Sequence, residues 1–128
     1  MNQKSASFSI HPHADYISID FAGYLEYGLI EDIKKELQSH ELHTRLGYII
    51  DMKNVKNIDS TGFGMIVNFA KNISLTSDKI SIIVTDDFIR SLFTISQCDK
   101  LFPIVDNDTD ALQAIKSNIH TELTIDEY

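Results

Sequence analysis

A chain of 128 residues that is 43% hydrophobic and 23% charged has the composition of one globular domain, which excludes a disordered or collagen-like chain. Its formal net charge of -8 disfavours phosphate backbones and anionic lipid surfaces, so we expect neither nucleic acid nor a membrane as a direct partner. The single cysteine excludes an internal disulfide, and the sequence has no signal-peptide-like or membrane-length apolar run, which together indicate a cytoplasmic protein.

The first half of the chain predicts three strands and one helix. Apolar and polar side chains alternate over residues 7–10 and 16–23, which is typical of strands, and the second is expected to end at Gly23. Residues 47–52 form a continuous apolar run, as in a strand that is buried on both faces. Residues 29–40 carry apolar side chains at helical spacing, with charges opposite. These apolar side chains are Leu29, Ile33 and Leu37.

The second half of the chain predicts three helices that alternate with two strands. An apolar stripe of helical period begins at Thr61 or Gly62, and acidic first turns open two further helices over residues 86–96 and 106–119. The two strands occupy residues 79–86 and 101–105. The apolar sides of the last two helices consist of Phe88, Leu92 and Ile95 and of Leu112, Ile115 and Ile119.

This order of elements predicts an α/β domain, with a mixed sheet of about four to five strands and about four helices packed against it. One domain is expected over residues 1–128. Its ordered core should cover about residues 7–119, followed by an acidic and flexible tail over residues 120–128.

The residue patterns of an enzyme or a metal protein are missing from the sequence. Cys98 has no histidine near it in sequence that could act as its base. The Gly-Phe-Gly at 62–64 lacks the remainder of a phosphate-binding loop, so Phe63 is expected to pack in the core. The histidines lie in polar stretches without ligand spacing. They are His11, His13, His40, His43 and His120. We therefore expect no catalytic residue, metal or cofactor.

Two hydroxyl side chains stand at the start of the second predicted helix. Asp59, Ser60, Thr61 and Gly62 follow an aliphatic strand directly. A helix N-terminus presents unpaired N–H groups and about half a positive charge, so Ser60 could cap the helix or carry a phosphate that the same N–H groups bind. Gly62 and the later Gly64 are expected to allow a tight turn. From the residues alone, capping is the simpler interpretation.

The segment from 48 to 72, YIIDMKNVKNIDSTGFGMIVNFAKN, resembles the signature of the STAS domain as found in bacterial anti-sigma-factor antagonists. Residues 16–26 are similar to the family's second strand and to its closing Gly-x-Leu-acid turn, which places an acidic residue at Glu26. The similarity extends to the last helix, strand and helix. The positions that match the signature are Asp51, Asp59, Ser60, Thr61, Gly62, Phe63 and Gly64.

The resemblance implies a binding protein switched by phosphorylation, not an enzyme. A serine-kinase anti-sigma factor with a histidine-kinase-like ATPase fold would phosphorylate Ser60, the first hydroxyl after the aspartate. The unphosphorylated form would bind this kinase and release a sigma factor, and a metal-dependent serine phosphatase would restore that form. The partner-binding surface would include Glu26 and residues 59–64. Thr61 is expected to be structural, with a second phosphorylation there as the lesser alternative.

Other functions stay open at this point. A single STAS domain could act in a biofilm, secretion or stress complex with no sigma factor, and its switch would look the same. STAS relatives also occur in lipid-transport and anion-transporter proteins, so a small-ligand or lipid-handling module is a second alternative. The helix stripes give no sign of the apolar cavity that such a module needs. An enzyme is the least supported function.

Overall fold

Five strands follow one another across one sheet in the same order as along the chain. The computed structural model describes residues 3–39, 47–74 and 79–116. The strands are β1 (Ala6–Pro12), β2 (Tyr16–Leu25), β3 (Gly47–Ile58), β4 (Ile80–Ile83) and β5 (Ile104–Val105). The helices are α1 (Glu31–Ser39), α2 (Ser60–Ser74), α3 (Asp87–Ile95) and α4, which covers 108–116 of the described residues. A short 3-10 helix over Cys98–Lys100 follows α3.

The sheet is mixed, as predicted. β1 pairs with β2 in antiparallel orientation, and every later pair is parallel. Parallel neighbours need a crossover, and helices supply each crossover between β2 and β5. Since parallel strands all end at the same edge, the strand-to-helix connections collect along one side of the domain. This α/β architecture confirms the predicted fold class.

Side chains alternate between the two faces of the sheet, and each face has its own core. One face carries the larger hydrophobic cluster, which includes Phe21 of β2, Ile50 of β3 and Phe93 of α3. The opposite face carries a smaller cluster, in which Ala111 and Ile115 of α4 pack on β3 and β4. The inward position predicted for Ile115 is thus confirmed. The predicted inward Ile119 and the tail over 120–128 lie outside the described residues.

The prediction that the second strand ends at Gly23 is wrong. β2 continues to Leu25, and its register with β3 shifts between Gly23 and Tyr24. Gly23 has a φ of 87°, and a Cβ there would lie 2.1 Å from the carbonyl oxygen of Ser5. The glycine therefore marks an irregularity where another segment approaches closely, because only glycine adopts this backbone without strain.

The apolar side predicted for α3 is also not the buried one. Phe88 and Ile95 are 57% and 78% exposed, whereas Ile89 and Phe93 are buried. The helix has two apolar stripes, and both have the spacing of one helix face. Its N-cap at Asp86, whose carboxylate accepts from the N–H of Ile89, fixes the helix start. Packing on the sheet then selects the stripe that contains Phe93.

Candidate functional site

The ends of β2 and β3 bring two connections together at the carboxyl edge of the sheet. β2 ends at Leu25 and β3 at Ile58, and the two strands are parallel neighbours. The N–H of Asp59 donates to the carbonyl oxygen of Leu25 at 3.2 Å, which joins the start of α2 to the end of β2. The segments predicted to form the site, around Glu26 and over 59–64, therefore lie side by side.

Asp59 holds this edge through both of its carboxylate oxygens. Oδ2 accepts a hydrogen bond from the N–H of Tyr27 at 2.8 Å, and Oδ1 accepts one from the N–H of Gly62 at 2.9 Å. The N–H of Phe63 donates to the carbonyl oxygen of Asp59 at 2.9 Å, as expected when Asp59 is the N-cap of α2. The hydrogen bond from Tyr27, followed by that from Gly62, lowers the pKa of Asp59 from its ordinary value.

Ser60 is not the cap that its position suggested. It is the first residue of α2 and is exposed, and Asp59 before it makes the capping hydrogen bond. Over residues 3–39, 47–74 and 79–116, no hydrogen bond involves the hydroxyl of Ser60. Thr61 is exposed as well. The two hydroxyls therefore lie at the N-terminus of α2, and neither is needed to cap it.

The two glycines of the motif have different roles, and neither makes the expected tight turn. Both lie within α2, and the positive φ values among the described glycines belong to Gly23 and Gly28. A Cβ on Gly62 would lie 1.8 Å from the carbonyl oxygen of Leu25, so α2 can approach β2 only with glycine there. A Cβ on Gly64 would meet nothing within 4 Å.

Phe63 lies at the same edge and packs partly into the core. Its ring is 4.9 Å from the ring of Phe93, centroid to centroid, at an interplanar angle of 75°. This edge-to-face contact joins the first turn of α2 to α3. The expected core packing of Phe63 is confirmed, and its half-buried ring leaves one side at the surface of the site.

Glu26 is held at the border of the site, and its neighbour Tyr27 is a residue that the sequence did not single out. Glu26 Oε2 accepts a hydrogen bond from Asn57 Nδ2 at 2.7 Å, and Glu26 Oε1 lies 3.5 Å from Lys4 Nζ. Tyr27 is 80% exposed while its N–H binds Asp59. Only the position of Tyr27 directly after the Gly-x-Leu-acid turn could have indicated it.

The other aspartate of the motif, Asp51, belongs to a different part of the molecule. It is buried on the face covered by α4, and its Oδ1 accepts from the N–H of Lys53 at 2.9 Å. Lys53 Nζ lies 3.3 Å from Asp51 and 3.0 Å from Asp108 of α4. The hydrogen bond to Asp108 is the main cause that raises the pKa of Lys53, and Asp51 adds to it. Lys53, which Asp51 holds, thus links β3 to α4.

Cys98 and the histidines were the candidates for a metal or nucleophile site. No cluster of three or more His, Cys, Asp or Glu over 3–39, 47–74 and 79–116 could hold a metal ion. Cys98 is buried, while His11 and His13 are exposed. The other three histidines lie outside the described residues. Among the helices that the structure describes, none is both long and apolar enough to span a membrane.

Comparisons with known proteins agree with this architecture. The model of the STAS domain family matches residues 8–111. A relative in Thermotoga neapolitana, the TM1081 homolog, whose name proposes an anti-sigma factor antagonist, is 22% identical over 108 residues, which cover 70% of this chain and 96% of the relative.

Two solved structures show the same fold. An anti-sigma factor antagonist from Mycobacterium paratuberculosis superposes with a TM-score of 0.76 at 15% identity, covering 88% of this chain and 95% of the other. SpoIIAA of Bacillus in its phosphorylated form superposes with a TM-score of 0.60 at 14% identity, covering 85% and 99%. At such identities the structural likeness shows the fold alone.

The matched segment runs from β1 to the first turn of α4 and contains Glu26, Tyr27 and residues 59–64. The chain belongs to the STAS domain family.

Proposed function

We propose that this protein is a binding switch controlled by phosphorylation of Ser60. In its unphosphorylated form it binds a serine-kinase anti-sigma factor, and the phosphorylated form dissociates from it. The observation that carries the proposal is the division of roles at the start of α2, where Asp59 caps the helix and the exposed hydroxyl of Ser60 is left without a partner among the described residues. A serine needed only as the cap would make the hydrogen bond that Asp59 makes.

The geometry favours an acceptor that needs little ordering. Asp59 ties the loop to Tyr27 on one side and to Gly62 on the other, so the backbone that carries Ser60 is held by two elements. A kinase that meets a pre-ordered hydroxyl loses less conformational entropy on binding. The contact surface for the kinase would consist of exposed Ser60, Thr61 and Tyr27 together with Glu26, Phe63 and Gly64. Gly62 is buried and would only shape this surface.

Phosphate at Ser60 would change the surface more than the fold. It adds about 1.5 to 2 negative charges near neutral pH. Asp59 already occupies the N–H of Gly62 and is held ionised by its lowered pKa, so the phosphate would stand beside a carboxylate instead of replacing it. Repulsion and desolvation at the partner interface could weaken binding about a hundredfold, which corresponds to about 2.7 kcal/mol.

Relatives with this fold support the proposal. One relative carries a name that proposes an anti-sigma factor antagonist, and SpoIIAA has been solved in an unphosphorylated and in a phosphorylated form. As partners of this chain we propose an ATP-dependent serine kinase with a histidine-kinase-like fold, which adds the phosphate, and a metal-dependent serine phosphatase, which removes it. We also propose a cytoplasmic location. On this proposal the protein is a substrate and a ligand of enzymes and has no catalytic residue of its own.

The proposal is tested by incubating the full chain with ATP and the serine kinases of its own genome, then locating phosphate by tandem mass spectrometry. One phosphate on Ser60, absent in Ser60→Ala and retained in Thr61→Ala, is the expected result. Phosphate on Thr61 alone, or none from any kinase, would contradict it. Affinity capture of the kinase's other client then identifies a sigma factor or another output.

A further inference from the structure

A groove runs along α2 on the side that faces α1. It is open to solvent and has a volume of about 810 Å³, within the range of small-molecule sites. Ser60 and Thr61 line one end of it, and Ile73 lines it near the other end. With a rise of about 1.5 Å per residue, this stretch of α2 is about 20 Å long. No pattern in the sequence had indicated such a cavity.

The charge of the groove is opposite to that of the protein. The chain has 19 acidic residues and a net charge of -8, yet among the residues that the structure describes no aspartate or glutamate lines the groove. Two lysines line it, Lys34 of α1 and Lys71 of α2. Neither ammonium group has a carboxylate within ion-pair distance among residues 3–39, 47–74 and 79–116. An anion would therefore find two uncompensated cations there.

The floor of the groove is apolar. Leu37, Met65 and Ile73 are buried, and Phe69 is half-buried. Asparagine, glutamine and hydroxyl side chains also line the groove, so it combines hydrocarbon with neutral hydrogen-bonding groups and two cations. Lysine stems can cover apolar surface while their ammonium groups reach a charged head. The chemistry that fits all three features is an anion with an apolar body.

We propose that this groove binds an anionic amphiphile, with its hydrocarbon or aromatic body on the floor and its carboxylate or phosphate head against Lys34 and Lys71. This activity goes beyond the switch and does not depend on phosphorylation of Ser60. A carboxylate and a phosphate head could each form an ion pair with Lys34 and Lys71, so the experiment compares the two head groups.

Binding is measured with the full chain by titration calorimetry, and backbone amide shifts in NMR spectra locate the site. The probes are decanoate, monodecyl phosphate and uncharged decanol, each below its micelle concentration. We expect saturable binding of at least one anion, weaker binding of decanol, and amide shifts confined to α1, α2 and the adjoining part of β3. Which anion binds more tightly identifies the head group.

Three variants make the test specific. Lys34→Gln with Lys71→Gln should weaken binding of the anion about tenfold, as expected for two partly exposed charge contacts. Lys35→Gln with Lys56→Gln changes the net charge equally, but these exposed lysines do not line the groove, so affinity should change by less than about twofold. Gly64→Leu fills the open space above Gly64 and should abolish binding.

The proposal is overturned if neither anion binds saturably or if decanol binds as tightly as both. It is equally overturned if the two lysine pairs weaken binding to the same extent, because the effect would then be one of net charge. Unchanged binding by folded Gly64→Leu would place the ligand elsewhere. The groove can fail each of these tests while Ser60 is still phosphorylated, so the outcome is independent of the proposed switch.

Discussion

Asp51 and Asp59 lie in the same strand-to-helix segment, yet different groups hold their carboxylates. Asp59, at the carboxyl edge, accepts from the backbone N–H groups of Tyr27 and Gly62. Asp51, under α4, accepts from the backbone and side chain of Lys53, which also binds Asp108. The first arrangement fixes a loop and exposes a serine, whereas the second fastens a helix to the sheet. Of these two aspartates, therefore, Asp59 is the one that holds a segment with a serine exposed at the surface.

The largest expected effect comes from the glycine that lets the Asp59 region form. Gly62→Ala should lower the free energy of unfolding by about 3 kcal/mol, because the new methyl group would overlap the carbonyl oxygen of Leu25 and force α2 away from β2. Gly64→Ala is the matched control in the same helix turn and should raise it by about 0.5 to 1 kcal/mol. Urea unfolding measures both. Equal effects of the two changes would contradict the close contact.

The second largest expected effect is that of a negative charge at residue 60 on the affinity for the kinase. Ser60→Asp should weaken binding to the cognate kinase about a hundredfold, whereas Ser60→Ala should bind at least as tightly as wild type. Neither change should alter the free energy of unfolding by more than about 0.5 kcal/mol, since Ser60 is exposed and Asp59 keeps the cap. Surface plasmon resonance with immobilised kinase measures the affinity. Wild-type affinity of Ser60→Asp would refute the electrostatic account.

Removing the two carboxylates in turn tests the comparison directly. Asp59→Ala should lower the free energy of unfolding by about 2 kcal/mol, since a helix cap and a link between two segments are lost together. Asp51→Ala should lower it by about 1 kcal/mol, because Lys53 keeps its contact with Asp108. Only Asp59→Ala should also slow phosphorylation of Ser60. Chemical denaturation measures the stabilities, and a time course with the kinase measures the rate of phosphorylation. A larger loss of stability in Asp51→Ala than in Asp59→Ala would contradict the assigned roles.

The smallest expected effect is on the pH dependence of stability. It should appear at acid pH for the region around Asp59 and at alkaline pH for the region around Asp51 and Lys53. The pKa of Asp59 is below its ordinary 3.8 in the folded state, so its contribution to stability is present above that pH and lost as pH falls through the folded pKa. The pKa of Lys53 is above its ordinary 10.5, so its contribution is present below that pH and lost as pH rises further.

Unfolding free energies measured across pH therefore distinguish the two variants. The difference between wild type and Asp59→Asn should shrink below pH 3.8. The difference between wild type and Lys53→Gln should shrink above pH 10.5. Lys56→Gln removes an exposed lysine from the same strand and serves as the control for the loss of one positive charge. Parallel curves for wild type and Asp59→Asn at acid pH would contradict the assigned cause.

The sequence predicted the elements around the site better than the contacts within it. Alternation and helical periodicity gave the strand-helix order, because side-chain spacing follows directly from backbone geometry. They failed on α3, where two apolar stripes fit one helix and only packing on the sheet buries Ile89 and Phe93. They also failed at Gly23, since a positive φ inside a strand depends on the approach of Ser5, which is distant in sequence.

The sequence by itself determined the α/β class, the resemblance to the STAS family and the segment that would carry the site, because these depend on local spacing and on a contiguous motif. The tertiary structure decided that Asp59 rather than Ser60 caps α2, that Tyr27 joins the site, and that α1 and α2 enclose a groove whose described lining residues include no carboxylate. Each of these features joins residues from different elements. Such contacts form only when the chain is folded, so no local pattern could encode them.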